Sequence, residues 1–520
     1  MRGGSETVPG QSITRTEEQI AHAAALQAHV AGDRQRPCYH FMPPAAWMND
    51  LNGTLYWRGR YHIFYQCNPH GAYWHRIQWG HASSVDLVHW VHHPVALLPD
   101  PSGPDRVGCF SGGALVSREG VPTFIYYGNP DGICLASSDD DLLLRWTRHP
   151  DNPVIPQPRA GDADFGRYEV HDPCGWLAGD TYYAAVNRRH PGGDGDAAFL
   201  FKSRDLRQWQ FVDRFYRSRR EWTEADEDCA VPDFFPLGDR HMLLFCSHQQ
   251  GTQYYLGELR GERFHPQIHG RMSWEGGQLG GARTLLDASG RRIFFDWVRE
   301  IRGAQRERAA GWSGVMTLPR VLGLAADGSL TIEPVPEVKK LRYHHRRRER
   351  IAVADGAEPV VAGIAGDTME LALEIEPRTA SEVGVAVRCA PDGAEQTPVL
   401  YDARAGVIRV DVSRSSLDSE IVYHRYRPSS NGRARLATLP ESERTVSAQE
   451  APFTLAAGEP LELRLFLDRS LLEVYVNGRQ CVTQRIYPTR EDATEVRLLA
   501  RGGSAVVRRL DAWELAPAHV

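Results

Sequence analysis

Residues 53–66 read GTLYWRGRYHIFYQ. Two apolar, aromatic-rich runs flank Arg58-Gly59, which reads as two strands joined by a tight hairpin. The plan returns four times in the first 300 residues: GALVSREGVPTFIYYG (113–128), CGWLAGDTYYAAV (174–186), DFFPLGDRHMLLFCSH (233–248) and ARTLLDASGRRIFFDWV (282–298). Each turn carries Gly or Asp. Aligning the aromatic residue of the second strand gives Tyr65, Tyr127, Tyr183, Phe245 and Phe295, at spacings of 62, 56, 62 and 50 residues. A second repeat is interleaved. SSVDLVHW (83–90), SSDDDLLLRW (137–146) and KSRDLRQW (202–209) are variants of Ser-x-Asp-Leu-x-x-Trp, placed between successive hairpins. Self-similarity on this scale, built from strands, predicts a propeller in which each unit is a four-stranded blade. Five units predict five blades.

Beyond the repeats the pattern changes. Residues 15–31 carry helix signals, with Thr16 as N-cap and Glu17 and Glu18 in the first turn. Residues 1–37 therefore read as an N-terminal extension with a helix, and 38–336 as the propeller. The polar, strongly basic stretch 337–350 is helix-compatible and reads as a solvated linker helix. Residues 351–520 hold short alternating runs such as MELALEIEP (369–377), LELRLFLD (461–468) and LLEVYVN (471–477), with no long helical pattern. They read as a β-sandwich. The fold class expected is all-β: a five-bladed β-propeller followed by a C-terminal β-sandwich.

Composition narrows the function classes. The 520 residues carry a formal net charge of −6, which argues against nucleic acid or an anionic membrane as partner. No run approaches 18 uninterrupted apolar residues, and the N-terminus lacks the apolar core of a secretory signal. Nine Cys are dispersed without CxxC pairs, which fits reduced thiols. The location these features imply is the cytoplasm.

The acids fall at repeat-equivalent places. Asp50, in WMNDLNG (47–53), precedes the first hairpin, and Asn52-Gly53 beside it reads as a turn. Ser111, in GCFSGG (108–113), precedes the second. Asp172, in VHDPCGW (170–176), precedes the third. Glu227 and Asp233, in EADEDCAVPDFF (224–235), precede the fourth. Singly, each acid reads as a turn or cap residue. At equivalent positions of a ring of blades they converge on one mouth of the central channel. Converged carboxylates serve either a hard cation or glycoside hydrolysis. None of these sites has the D-x-D-x-D-G spacing of a calcium loop.

WMNDLNG, FYQCNP (64–69), WGHASSVDLVHW (79–90), GCFSGG, HDP (171–173), EDCAVPDFF (227–235) and LRLFLDRSLLEVYVNGRQCVTQRIYP (463–488) together resemble glycoside hydrolase family 32, the invertases, fructanases and related β-fructosidases. The resemblance runs from about residue 38 to the C-terminus. It implies a retaining glycoside hydrolase that cleaves terminal β-D-fructofuranosyl residues from sucrose, fructo-oligosaccharides or fructans. Asp50 would be the nucleophile, Asp172 the transition-state stabiliser and Glu227 the acid/base. Asn49, Gln66, Trp74, Ser111, His171 and Trp297 would contact the sugar. No metal or organic cofactor is implied. The same triad also serves fructosyltransferases, including those that form difructose anhydrides, and a non-catalytic fructan-binding propeller would keep the same pocket. Three departures stand out: Leu51 replaces a usual Pro, and His171 replaces the Arg of Arg-Asp-Pro. The usual Glu-Cys-Pro-Asp is stretched to Glu227-Asp228-Cys229-Ala230-Val231-Pro232-Asp233, which leaves Glu224 as an alternative acid/base.

Overall fold

Each predicted hairpin forms the two inner strands of a sheet. The structure, a computed structural model, describes residues 17–188, 195–427 and 429–518. Among the described residues, five sheets follow one another around a ring, three of four strands and two of five, each built on four antiparallel strands. Their innermost strands are Ala46–Trp57, Gly108–Val116, Pro173–Ala178, Ala230–Leu237 and Arg283–Leu286. Each innermost strand lies beside the next, and the fifth lies against the first, which closes the ring. The returning chain adds Trp312–Ser313 in parallel to Ala46–Trp47, tying the last sheet's insertion to the first sheet. In the first hairpin Trp57 pairs with Arg60, and Arg58 and Gly59 both take positive φ, the geometry of a tight two-residue turn.

The Ser-x-Asp-Leu-x-x-Trp repeat is the turn between the third and fourth strands. Asp86 Oδ1 accepts the backbone N–H groups of Val88 and His89, and Trp90 Nε1 donates to the Leu87 carbonyl. Asp205 and Trp209 make the same bonds in the third sheet, and Trp146 donates to Leu143 in the second. Leu87, Leu143 and Leu206 all sit at positive φ, between 57° and 66°. The acid satisfies the turn's orphan donors and the Trp indole clamps its carbonyl.

Residues from Arg342 onward form two six-stranded sheets packed over an aliphatic core that includes Leu371, Val385, Val410, Leu465 and Leu498. The expected linker helix over 337–350 is not there. Pro336–Leu341 is a short 3-10 turn, and Arg342–Val353 is a sheet-edge strand paired with Ala505–Leu515. Its charges are met from neighbouring strands: Arg342 by Glu370, His345 by Asp511 and Arg346 by Glu514. A charged edge strand resists further pairing. Its acidic partners are remote in sequence, so local composition reads as helix. Of the N-terminal extension, helix Glu17–Ala31 is observed, and Thr16 lies outside the described residues. No described helix is long and apolar enough to cross a membrane, and the nine cysteines are free thiols.

Propeller and sandwich are joined by buried ion pairs. Glu473 receives Arg320 at 3.1 Å, the Leu318 N–H and the Tyr475 hydroxyl. Asp468 receives the backbone N–H groups of Cys38, Tyr39 and His40 as well as the His40 ring. Glu300 receives Arg485 and the Tyr487 hydroxyl.

Candidate active site

Asn52-Gly53 is not a turn. Both residues lie inside the innermost strand of the first sheet, which carries β-bulges between Met48 and Leu51 and between Asn52 and Leu55. Asp50 sits in the first bulge. The second sheet's innermost strand is bulged between Cys109 and Gly112, around Ser111, and the fourth between Ala230 and Asp233. A bulge re-aims the side chains it carries. Three bulges at the same end of the ring turn side chains that would otherwise face neighbouring sheets toward the channel. Close approach matters too. Leu51 N–H donates to the Gly281 carbonyl at 3.0 Å, and a Cβ on Gly281 would stand 2.4 Å from Asp50 Oδ1. Only glycine fits there, and its φ of +99° also favours glycine.

A relay of hydrogen bonds fixes Asp50. Trp47 Nε1 donates to Asn49 Oδ1 (2.8 Å), Asn49 Nδ2 to Gln66 Oε1 (2.7 Å), Gln66 Nε2 to Ser111 Oγ (2.7 Å), and Ser111 Oγ to Asp50 Oδ2 (2.8 Å). Every donor in this chain finds an acceptor, so the amides have one orientation. Asp172 Oδ2 accepts the Val231 N–H at 3.2 Å, and His171 Nδ1 lies 3.0 Å from Oδ1. Asp50 and Asp172 line one cavity of about 260 Å³ with Asn49, Gln66, Trp74, Ser111, His171 and Trp297. Trp74 stands half-exposed at its rim, edge-on to Phe110. Larger hollows exist, one of about 630 Å³ beside Arg271 and Trp274, but it contains no such pair of buried acids.

Glu227 is not brought into this cavity. It is fully buried, with Oε1 accepting the Glu224 N–H (2.9 Å) and Oε2 accepting Gln253 Nε2 (2.6 Å). Glu224 is no nearer; it lies exposed and faces Arg435 at 3.4 Å. The residues that sequence reasoning missed are His248 and Arg427, with Phe110 and Cys246 beside them. Cys246 follows the aligned aromatic of its hairpin, as Gln66 does in the first, so the repeat contained that signal. His248 closes the fourth hairpin segment. Its Nδ1 lies 2.5 Å from Asp228 Oδ2, and its N–H donates to Asp228 Oδ1. Arg427 comes from the other domain and could not be placed from the repeat. It reaches Cys246 Sγ at 3.0 Å and stacks over Trp297.

The charges divide sharply. Burial, and then the neighbouring Asp172, push the Asp50 carboxyl above its ordinary range. Burial pushes Asp172 the same way, but His171, His248 and the Val231 N–H outweigh it and hold Asp172 at about 2. Two carboxyls in one cavity are thus split, as like charges at close quarters require. Burial raises Glu227 above the usual carboxylate range. Asp228 holds His248 up at about 9.

The chain matches two family descriptions: "Glycosyl hydrolases family 32 N-terminal domain" over residues 40–334 and "Glycosyl hydrolases family 32 C terminal" over 337–514. It is 31% identical to sucrose-6-phosphate hydrolase of Escherichia coli, covering 97% of this chain and 100% of that one. It is 29% identical to levanase of Bacillus subtilis (strain 168), over 94% of this chain and 71% of that one. The crystal structure of fructan 1-exohydrolase IIa from Cichorium intybus superposes with a TM-score of 0.80 at 24% identity, covering 94% and 99% of the two chains, and shows the same propeller and sandwich. With both halves matched in order, and paired acids at the mouth of the propeller, this chain belongs to glycosyl hydrolase family 32 and is a glycoside hydrolase.

Proposed function

We propose that the chain is a retaining β-fructofuranosidase that releases single fructosyl units from the non-reducing ends of sucrose or short fructans. The observation that carries this reading is the pair Asp50 and Asp172, from different sheets, lining one cavity with opposite shifts in acidity. A cavity of about 260 Å³ suits one sugar ring and favours terminal cleavage. Ser111 anchors one oxygen of Asp50 and leaves the other to attack the anomeric carbon C2. The C2–oxygen bond to the leaving sugar breaks as a covalent fructosyl ester forms on Asp50. Asp172, kept ionised, accepts hydrogen bonds from fructose hydroxyls that strengthen as positive charge develops at the ring. Trp74 and Phe110 offer apolar faces to the ring. Water then cleaves the ester with net retention.

Incubation with sucrose, sucrose 6-phosphate, inulin and levan, with products resolved by chromatography and the first-formed anomer by NMR, tests the reading. Free fructose, appearing first as the β-anomer, is the expected result, with glucose or glucose 6-phosphate as the other product of the two sucrose substrates. The α-anomer would overturn retention. Larger fructosides in place of free fructose would make the protein a transferase, and binding without turnover a sugar-binding module.

A further inference from the structure

We propose that the proton donor to the departing oxygen in this chain is His248, held by Asp228, and not Glu227. The inference rests on the fructosidase reading above. Three observations carry it. In the pattern Glu-Cys-Pro-Asp the glutamate directly precedes the cysteine, whereas the residue directly before Cys229 is Asp228. Both oxygens of that shorter side chain are engaged by His248, one by its backbone N–H at 2.9 Å and the other by Nδ1 at 2.5 Å. Asp228 is 1% exposed, so it acts through the imidazole and not on a ligand.

Second, Glu227 is turned away. Both its oxygens are held within the protein, and none of its surface opens on the cavity that holds Asp50 and Asp172. Ala230 and Val231, the residues that stretch the motif, are taken up by the bulge before Asp233. Both line the cavity, and the Val231 N–H is spent on Asp172. The stretch thus fills the place beside Asp172 with backbone and leaves the glutamate behind it.

Third, His248 is in place. Its side chain is half accessible, and that surface faces the cavity. With Nδ1 bound to Asp228, Nε2 is the nitrogen available to a ligand. Asp228, Asp172 and Asp50 favour the imidazolium, whereas burial and then Arg427 oppose it. The acids prevail, and the ring is protonated at neutral pH.

The step balances. As Asp50 attacks C2, the C2–oxygen electron pair goes to the leaving oxygen, which takes the proton from Nε2 of His248. The neutral imidazole then removes a proton from water. That water attacks C2, the Asp50 ester bond breaks, and both side chains return to their starting states.

The test compares His248→Gln, Asp228→Asn and Glu227→Gln on sucrose and on 4-nitrophenyl β-D-fructofuranoside, whose leaving group needs no proton. For His248→Gln the expected loss is about 10²–10⁴-fold in kcat/KM on sucrose but under roughly 10-fold on the aryl fructoside. Added azide should restore turnover by forming fructosyl azide. Asp228→Asn, a positioning change, should move the basic limb of the pH profile below about 9. Glu227→Gln should show neither leaving-group dependence nor azide rescue. Leaving-group dependence and azide rescue in Glu227→Gln, with His248→Gln lacking both, would overturn the assignment. An equal loss on both substrates in His248→Gln, with melting temperature unchanged, would also overturn it. Wild-type protein that releases fructose from none of these substrates would sink the fructosidase reading itself.

Discussion

The protein buries carboxylates in two places and treats them in opposite ways. At the junction of propeller and sandwich, Glu473, Asp468 and Glu300 each have a cationic partner and further donors, and all three stay below their ordinary range. At the mouth of the propeller, Asp50 has the Ser111 hydroxyl, Asn49 and the charge of His248 against burial and the charge of Asp172, and it is still pushed up. Burial is similar; the partners differ. The junction is a satisfied network, which costs little and fixes how the domains meet. The mouth leaves charge incompletely compensated, which suits a site waiting for substrate hydroxyls.

Four experiments can break or sharpen that contrast. The largest effect is expected from Asp50→Asn. It removes the proposed nucleophile but keeps an acceptor for Ser111, so kcat on sucrose should fall by about 10⁴-fold or more with the fold intact. A loss under 10-fold would end the assignment. Next, Glu473→Ala strands Arg320 without its buried partner. Chemical denaturation should show a loss of about 3–5 kcal/mol. The folded variant should keep its kcat, because neither Glu473 nor Arg320 lines the cavity.

The third experiment is pH-resolved and turns on sign. Glu473 is depressed to about 2 in the folded protein, against roughly 4.3 when unfolded. Its contribution is therefore complete above about pH 4.3 and disappears as pH falls toward 2. Glu473→Gln should be destabilised at pH 7, and its deficit should shrink through that window. Asp50 is raised, so its ionisation costs stability as pH rises above its ordinary value near 4. Asp50→Asn should melt at or above the wild-type temperature at pH 7, and the difference should vanish at low pH. Melting curves of both variants from pH 2.5 to 7 check the opposite trends; parallel trends would refute the contrast. The smallest effect belongs to Trp74→Ala. The side chain is half-exposed and carries little of the fold, so KM should rise roughly 10-fold while the melting temperature holds.

The hairpins and their turns were legible in sequence because strand alternation and turn chemistry are local. Gly59 at the first turn and Asp86 in the outer turn state their roles within a few residues. Asp50 and Asp172 were legible because the repeat placed them at the start of equivalent inner strands. Asn52-Gly53 misled because its turn signal was absorbed into a bulged strand, where Asn52 Oδ1 instead accepts the Gly112 N–H from the next sheet. The basic run misled for a related reason. The acids Glu370, Asp511 and Glu514 that make Arg342–Val353 a strand lie far along the chain.

By itself, the sequence determined the all-β class, the repeat and the two acids of the cavity, because these follow from periodicity and position within a repeated unit. Tertiary structure alone decided which way the stretched segment 224–233 points. Bulge geometry, the Gln253 amide holding Glu227 and the Asp228 carboxylate holding His248 are contacts between separate segments, and no local pattern encodes them. The same holds for Arg427, which enters the propeller's cavity from the sandwich because two domains pack there.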